Sequence, residues 1–190
     1  MVPILQEIEK LNHNLPVIDP LGKGSVTVSQ IASHAPSLCS VSDFCQIHLD
    51  RRMTMGENRD TVLAEIRDIF DRLSASAYVE IPFYHGKSWK GTEFELETYF
   101  PTWIFEETHP LVKAGMAACE KVLPGKARTG TWKFSTNGVF TAGWMNIPTI
   151  GFAPGKEELA HSSAEEILLE DLLNAARFYT LFPFVLTESV

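Results

Sequence analysis

Imidazoles, carboxylates and thiols are the usual parts of metal and proton-transfer sites, and this chain of 190 residues carries six histidines and three cysteines. The histidines are His13, His34, His48, His85, His109 and His161. No His-Glu-x-x-His segment places two of them on one helix face, whereas a hydrolytic zinc site needs about three protein ligands and an open position for water. His48 and Asp50 form a His-x-Asp pair on one face of an expected strand, a spacing that metal sites use. No third ligand is identifiable nearby, and the polar strand face of an acidic chain readily produces such pairs by chance. His161 stands apart. It follows a Gly-Pro-rich turn (GFAPG, 151–155) and precedes the expected last helix, and loops after strands are where α/β sheets place functional groups. Ser162 or Ser163 with Glu165 or Glu166 also matches a capping box, which gives part of this segment a plain helix-starting role.

Other half-sites accompany it. STNG (135–138) reads by default as a turn; its hydroxyls and backbone amides could equally cradle a carboxylate. GKGS (22–25) lacks the preceding glycine of a phosphate-binding loop. Arg51 and Arg52 point to opposite faces of one strand, so one can pair with surface acids while the other meets a ligand carboxylate in a bidentate fork. Gly-x-Ser-x-Gly is absent. Cys39, Cys45 and Cys119 are odd in number and form no C-x-x-C pair, which favours reduced thiols in a cytoplasmic setting over a disulfide framework. Sixteen basic against 24 acidic residues give a net charge of −8, a poor balance for neutralising phosphates, so nucleic acid is disfavoured as a partner. No apolar run approaches the ~20 residues of a membrane span. MVPILQEIEK at the start has no basic segment of a secretion signal.

The elements that must position these groups follow from periodicity. Val2, Ile4, Leu5, Ile8 and Leu11 recur at helical spacing, with Pro3 tolerated in the first turn. A loop over 12–23 leads to β-rich 24–33, then to a strand over 41–53 with Cys45, Ile47 and Leu49 on one face. Glu57–Leu73 is the clearest helix, with Val62, Ile66, Ile69 and Leu73 as its stripe. AYVEIPFY (77–84) reads as a short strand, and aromatic-rich 85–107 as an ordered crossing segment without regular elements. Thr108 is expected to cap a helix over 110–122, IPTIGF (147–152) to form a strand, and the final helix to stop before Pro183. The class is α+β: helix–strand–strand–helix–strand, a βαββαβ unit without its first strand, followed by a second body.

Two stretches carry a family resemblance. LDRRMTMGENRDTVLAEIRDI (49–69) resembles the lid, or dimerisation, domain of the zinc aminoacylase/acetylornithine deacetylase/succinyl-diaminopimelate desuccinylase peptidase family. STNGVFTAGWMNIPTIGFAPGKEELAHSSAEEILLEDLLNAARFY (135–179) resembles that family's C-terminal catalytic segment. LGKGSVTVSQI and YFPTW (99–103) look closest to its subgroup of selenium-metabolism hydrolases. The resemblance implies a ferredoxin-like lid without its first strand over 1–84, a crossing segment over 85–107, and the C-terminal part of an α/β zinc-peptidase domain over 108–190. It implies that His161 matches a metal ligand and Arg52 the lid arginine that contacts a substrate carboxylate. Thr136, Asn137 and Gly138 match the turn lining the substrate pocket, and Gly155 falls in an anion-facing loop. Ala153 stands where the family has the middle glycine of Gly-x-Gly-Pro-Gly, and Asn137 replaces a frequent Asp.

In that family two zinc ions polarise an amide carbonyl and lower the pKa of a bridging water, while a Glu takes the proton. The resemblance places the His-x-Asp ligand, the bridging Asp, the Glu-Glu pair, a further acidic ligand and the lid histidine before the point where Met1 aligns. The expectation is therefore a fragment or split half of a metal-dependent amidohydrolase acting on N-acyl amino acids or peptide-like amides, holding no stable zinc and inactive alone. It would be partnered by a complementary N-terminal half or a second copy. The alternatives are a non-enzymatic dimerisation module working through an open sheet edge, and a remnant without function. Removal of the central lid strand should leave two rows of backbone groups seeking partners. Apolar faces of 108–122 and 168–179 should lie exposed.

Overall fold

The computed structural model describes residues 1–132 and 134–188. It divides the chain into two units, residues 1–102 and 103–190. In the first, α1 (Val2–Asn14) buries Ile4 and Ile8, one turn apart on the same face. Two short strands, β1 (Val17–Ile18) and β2 (Gly22–Lys23), pair around a tight turn in which Gly22 takes φ +78°, a conformation glycine adopts without steric cost. β3 (Ser25–His34) and β4 (Phe44–Arg52) form a long antiparallel ribbon. Val26 and Val28 lie opposite Arg51 and Leu49, and a bulge at Ser29 separates this register from Ile31 opposite Ile47.

α2 (Arg59–Arg72) begins where Asn58 caps it. The Asn58 side-chain oxygen accepts from the backbone N–H groups of Asp60 and Thr61 at 2.9 and 3.1 Å, and the Thr61 hydroxyl accepts from Asn58 N–H at 2.8 Å. This reciprocal cap satisfies donors that the first turn otherwise leaves open. α1, α2 and the inner face of the ribbon enclose one core of Ile4, Ile8, Leu15, Val26, Ile66 and Ile69, flanked by Val28, Ile47, Leu49 and Phe70. Each such aliphatic burial stabilises by about 1.5–3 kcal/mol.

After α2 the structure departs from the sequence expectation. Residues 77–82 lie in no strand, and the expected strand is displaced to β5 (Phe83–Lys87), which pairs with β6 (Glu93–Glu97) in a hairpin. The segment read as lacking regular elements thus contains a strand pair. Glu93-Phe94-Glu95-Leu96-Glu97 has the period-2 alternation of a strand, and Gly91 at φ +87° makes the turn.

In the second unit α3 (Pro110–Val122) is capped by His109, not by Thr108: His109 Nδ1 accepts from Leu111 N–H at 3.1 Å. α4 (Leu169–Glu188) continues through Pro183. The proline removes one helical N–H, and that loss is offset because Phe182, Val185 and Leu186 beyond and beside it pack on α3 around Ala114, Ala118 and Phe178. Residues 147–152 form no strand but anchor individually. A Cβ at Gly115 would lie 2.5 Å from Ile150 Cδ1, so glycine lets this segment approach α3 closely. Phe152 stacks on Phe178 with ring centroids 4.1 Å apart. α3 buries Val112, Ala114, Gly115 and Ala118, so the apolar exposure expected there is absent. α4 exposes Leu169, Leu172, Leu173 and Tyr179. Among the described residues no helix is long and apolar enough to cross a membrane.

Candidate functional site

The two arginines at the end of β4 have different fates. Arg51 turns to the inner face, where its guanidinium reaches Glu57 at 2.5 Å and Glu65 on α2 at 3.2 Å. Glu57 also accepts the Thr54 N–H at 2.6 Å, and the buried Thr54 hydroxyl donates to the Gly22 carbonyl at 2.8 Å. Sequence reasoning did not single out this network; its signal was the Gly-Glu turn that returns a carboxylate to the strand end. With Arg51 held by two acids, Arg52 is the one available to a ligand. Its side chain is about 60% exposed and lies 3.8 Å from Asp50, a long contact that an incoming carboxylate can displace at small cost.

Asp50 and His48 share the outer face with Arg52. His48 Nδ1 sits 2.6 Å from the Ser29 hydroxyl at the bulge, so this His-x-Asp pair is engaged with a serine and an arginine.

The remaining candidates belong to the second unit. The Thr136 hydroxyl accepts the Gly138 N–H at 3.1 Å, and the Thr136 and Asn137 carbonyls accept from Val139 and Phe140, both at 3.0 Å. The turn therefore runs directly into a wide helical turn over Val139–Trp144. Gly138 is buried, and a Cβ there would lie 2.4 Å from Trp103 Cζ2. Packing of the indole against the turn explains that glycine. Gly155 has φ +98° and open space where a side chain would stand, so its backbone conformation fixes the residue type.

His161 is exposed, with φ +62°, uncommon for a residue bearing a Cβ. Its N–H donates to Glu165 at 3.1 Å, and its ring meets the edge of Phe134 with centroids 6.4 Å apart. Ser162 donates to the Leu159 carbonyl at 2.7 Å and accepts from Ala164. This is a local turn, so the capping-box reading is corrected: α4 begins only at Leu169.

Strain at a residue other than glycine is a mark of functional sites, yet His161 stands without a ligand set. Among the described residues, no group of three or more His, Cys, Asp or Glu could hold a metal ion. The donors of this chain alone do not fit a two-metal centre, and no catalytic step is derived through one. Burial raises the Cys119 thiol above its ordinary pKa, with neighbouring Glu120 adding to the shift, so it is a weak nucleophile.

No protein-family model matches the chain. Two curated relatives, each called "Uncharacterized protein YgeY" and coming from Escherichia coli K12 and O157:H7, are 42% identical over 183 residues. The match takes in 96% of this chain and 45% of theirs, so the chain spans a little under half the length of these relatives. Among solved structures, an M20 family metallo-carboxypeptidase from Sulfolobus solfataricus, Sso-CP2, superposes over 97% of this chain and 44% of its own, with a TM-score of 0.50 and 16% identity. At that identity the likeness is one of fold.

Proposed function

We propose that this chain supplies the lid and the C-terminal catalytic portion of a metal-dependent hydrolase of N-acyl amino acids or peptide-like amides. The observation that carries the reading is the fold likeness to a metallo-carboxypeptidase along 97% of the chain. It accords with the sequence resemblance, including the lid over 1–84, the crossing segment over 85–107, the selenium-metabolism subgroup and a cytoplasmic setting. In this reading Arg52 exchanges Asp50 for the substrate carboxylate and fixes its orientation. The Thr136–Gly138 turn and Gly155 present backbone to the bound molecule, and His161 donates one imidazole to a zinc site whose other ligands come from sequence outside this chain. Positioning without a proton acceptor gives binding rather than turnover, so this chain is inactive alone. A second reading, an interaction module without catalysis, draws on the ribbon between β3 and β4, whose connecting loop exposes Leu38 and Val41.

Reconstitution separates the two. The chain is co-expressed with the part of the Escherichia coli relative that the match leaves uncovered, and N-acetyl amino acids are offered as substrates. Chelator-sensitive hydrolysis that falls at least ~100-fold in His161→Ala, about 2.7 kcal/mol of transition-state stabilisation, supports the hydrolase. A tight complex without hydrolysis under added zinc supports the interaction module. Hydrolysis by this chain unaided would overturn the requirement for outside ligands.

A further inference from the structure

Every strand has two edges, and backbone groups on both must find partners or water. On β3 the outer edge is provided for: α1 lies beside it, and the Val26 N–H donates to the Asn12 side-chain oxygen at 2.9 Å. That bond also fixes the phase of the ribbon. In an antiparallel pair, directly opposed residues either bond to each other or both face outward. Val26 bonds outward, so its partner Arg51 directs its own N–H and C=O away from β3, and the alternation makes Leu49, opposite Val28, do the same. Among the described residues β4 pairs with β3 alone, so these groups face an unpaired edge.

A second row belongs to the same core. Ala75, Val79 and Ile81 are half-buried while Tyr78 and Glu80 between the last two are exposed, a strand-like alternation, and Ala75 and Val79 rest on the core that Ile47 and Leu49 also cover. Yet residues 76–81 join no ladder. One hydrophobic core thus carries two backbone rows, β4 and 76–81, each ready to pair.

We infer that an extended segment from sequence outside this chain docks on the free edge of β4, bonding Leu49 and Arg51, and pairs 76–81 along its other side. Its chemistry is that of an inserted strand: apolar residues at every second position facing the core, backbone hydrogen bonds for affinity. The source is the part of the relatives beyond the match, which amounts to more than half of their length. The inference rests on the reading that this chain works with such a complement, and it adds where the complement binds.

Hydrogen exchange read amide by amide tests it, with the uncovered part of the Escherichia coli relative as the probe. In the chain alone, the Leu49 and Arg51 amides exchange rapidly while Asp50 is protected. On addition of the probe, Leu49, Arg51 and alternate amides of 77–81 slow at least ~100-fold, the signature of a formed ladder. Tyr78→Pro and Val79→Pro remove N–H groups facing opposite edges. One of them weakens the complex at least ~10-fold while the chain alone keeps its melting temperature, and the other does not. A complex without protection at Leu49 and Arg51 overturns the docking mode and leaves the hydrolase reading standing. Protection without hydrolysis has the reverse effect. No complex at all, or the same protection arising from self-association of the chain without the probe, overturns the proposed occupant.

Discussion

The two units solve the same problem of burial by different means. The first builds a core from large aliphatics on two helices and a ribbon, then ties the strand end to α2 through Arg51, Glu57 and Glu65. The second packs small residues of α3, Ala114 and Ala118, against aromatic Phe178 of α4, and connects the helices through irregular chain. Small-on-large packing brings helix axes close but covers little of the longer helix, and Leu169 of α4 remains 81% exposed. The first unit shows open backbone, the second open side chains. Both are features of bodies whose burial is completed by further polypeptide.

The largest perturbation expected is Phe178→Ala, which removes an aromatic ring stacked on both Phe152 and Phe182. A loss of about 3–5 kcal/mol, read by denaturant unfolding, would fall on the second unit, and trypsin should cut 103–188 before 1–102. Next is Arg51→Met, which strands two partly buried carboxylates and should cost about 2 kcal/mol. Arg52→Met should fall within about 0.5 kcal/mol. Equal losses would erase the distinction between the bound arginine and the available one.

Leu169→Lys with Leu173→Lys should leave the unfolding midpoint nearly unchanged and reduce self-association in sedimentation velocity. A large loss of stability would show that α4 is covered after all. The smallest effect concerns Glu7. The hydrogen bond from Lys10 lowers its pKa; partial desolvation opposes this, and the charges of Lys10 and Arg72 add to the lowering. A depressed carboxylate stabilises at pH above its unfolded value and loses that contribution as pH falls through the folded value. Glu7→Gln should therefore slightly lower the melting temperature at neutral pH and leave it unchanged in strong acid.

The first unit was largely legible because its elements announce themselves locally. The α2 stripe of Val62, Ile66, Ile69 and Leu73, and the alternation of Cys45, Ile47 and Leu49 against His48 and Asp50, give helix and strand their periods directly. Errors arose where tertiary packing decided. Pro183 stays in a helix because its neighbours are anchored on α3, and 147–152 is apolar because single side chains plug into α3 and α4, not because a sheet exists. Residues 77–82 have strand chemistry without a neighbour to pair with, a property no local pattern can reveal.

For the candidate site, residue types were readable and roles only partly so. The opposite facing of Arg51 and Arg52 followed from strand geometry, but which of them was already held by acids depended on Glu57 and Glu65. Gly138 owes its identity to Trp103, 35 residues earlier in the chain, a relation invisible to spacing.

The bulge at Ser29 has one more consequence. Upstream of it even-numbered residues of β3 face the core, and downstream the odd-numbered ones do, so Ile31 joins Ile47 instead of being thrown to the other side. Parity along the ribbon is thus set by counting. Deleting Ser29 would swap Gln30 for Ile31 beneath the sheet and invert the far half of the arm. Length changes in this strand are tolerable only in pairs, and an inheritable one-residue gap there would mark a chain whose ribbon had been rebuilt.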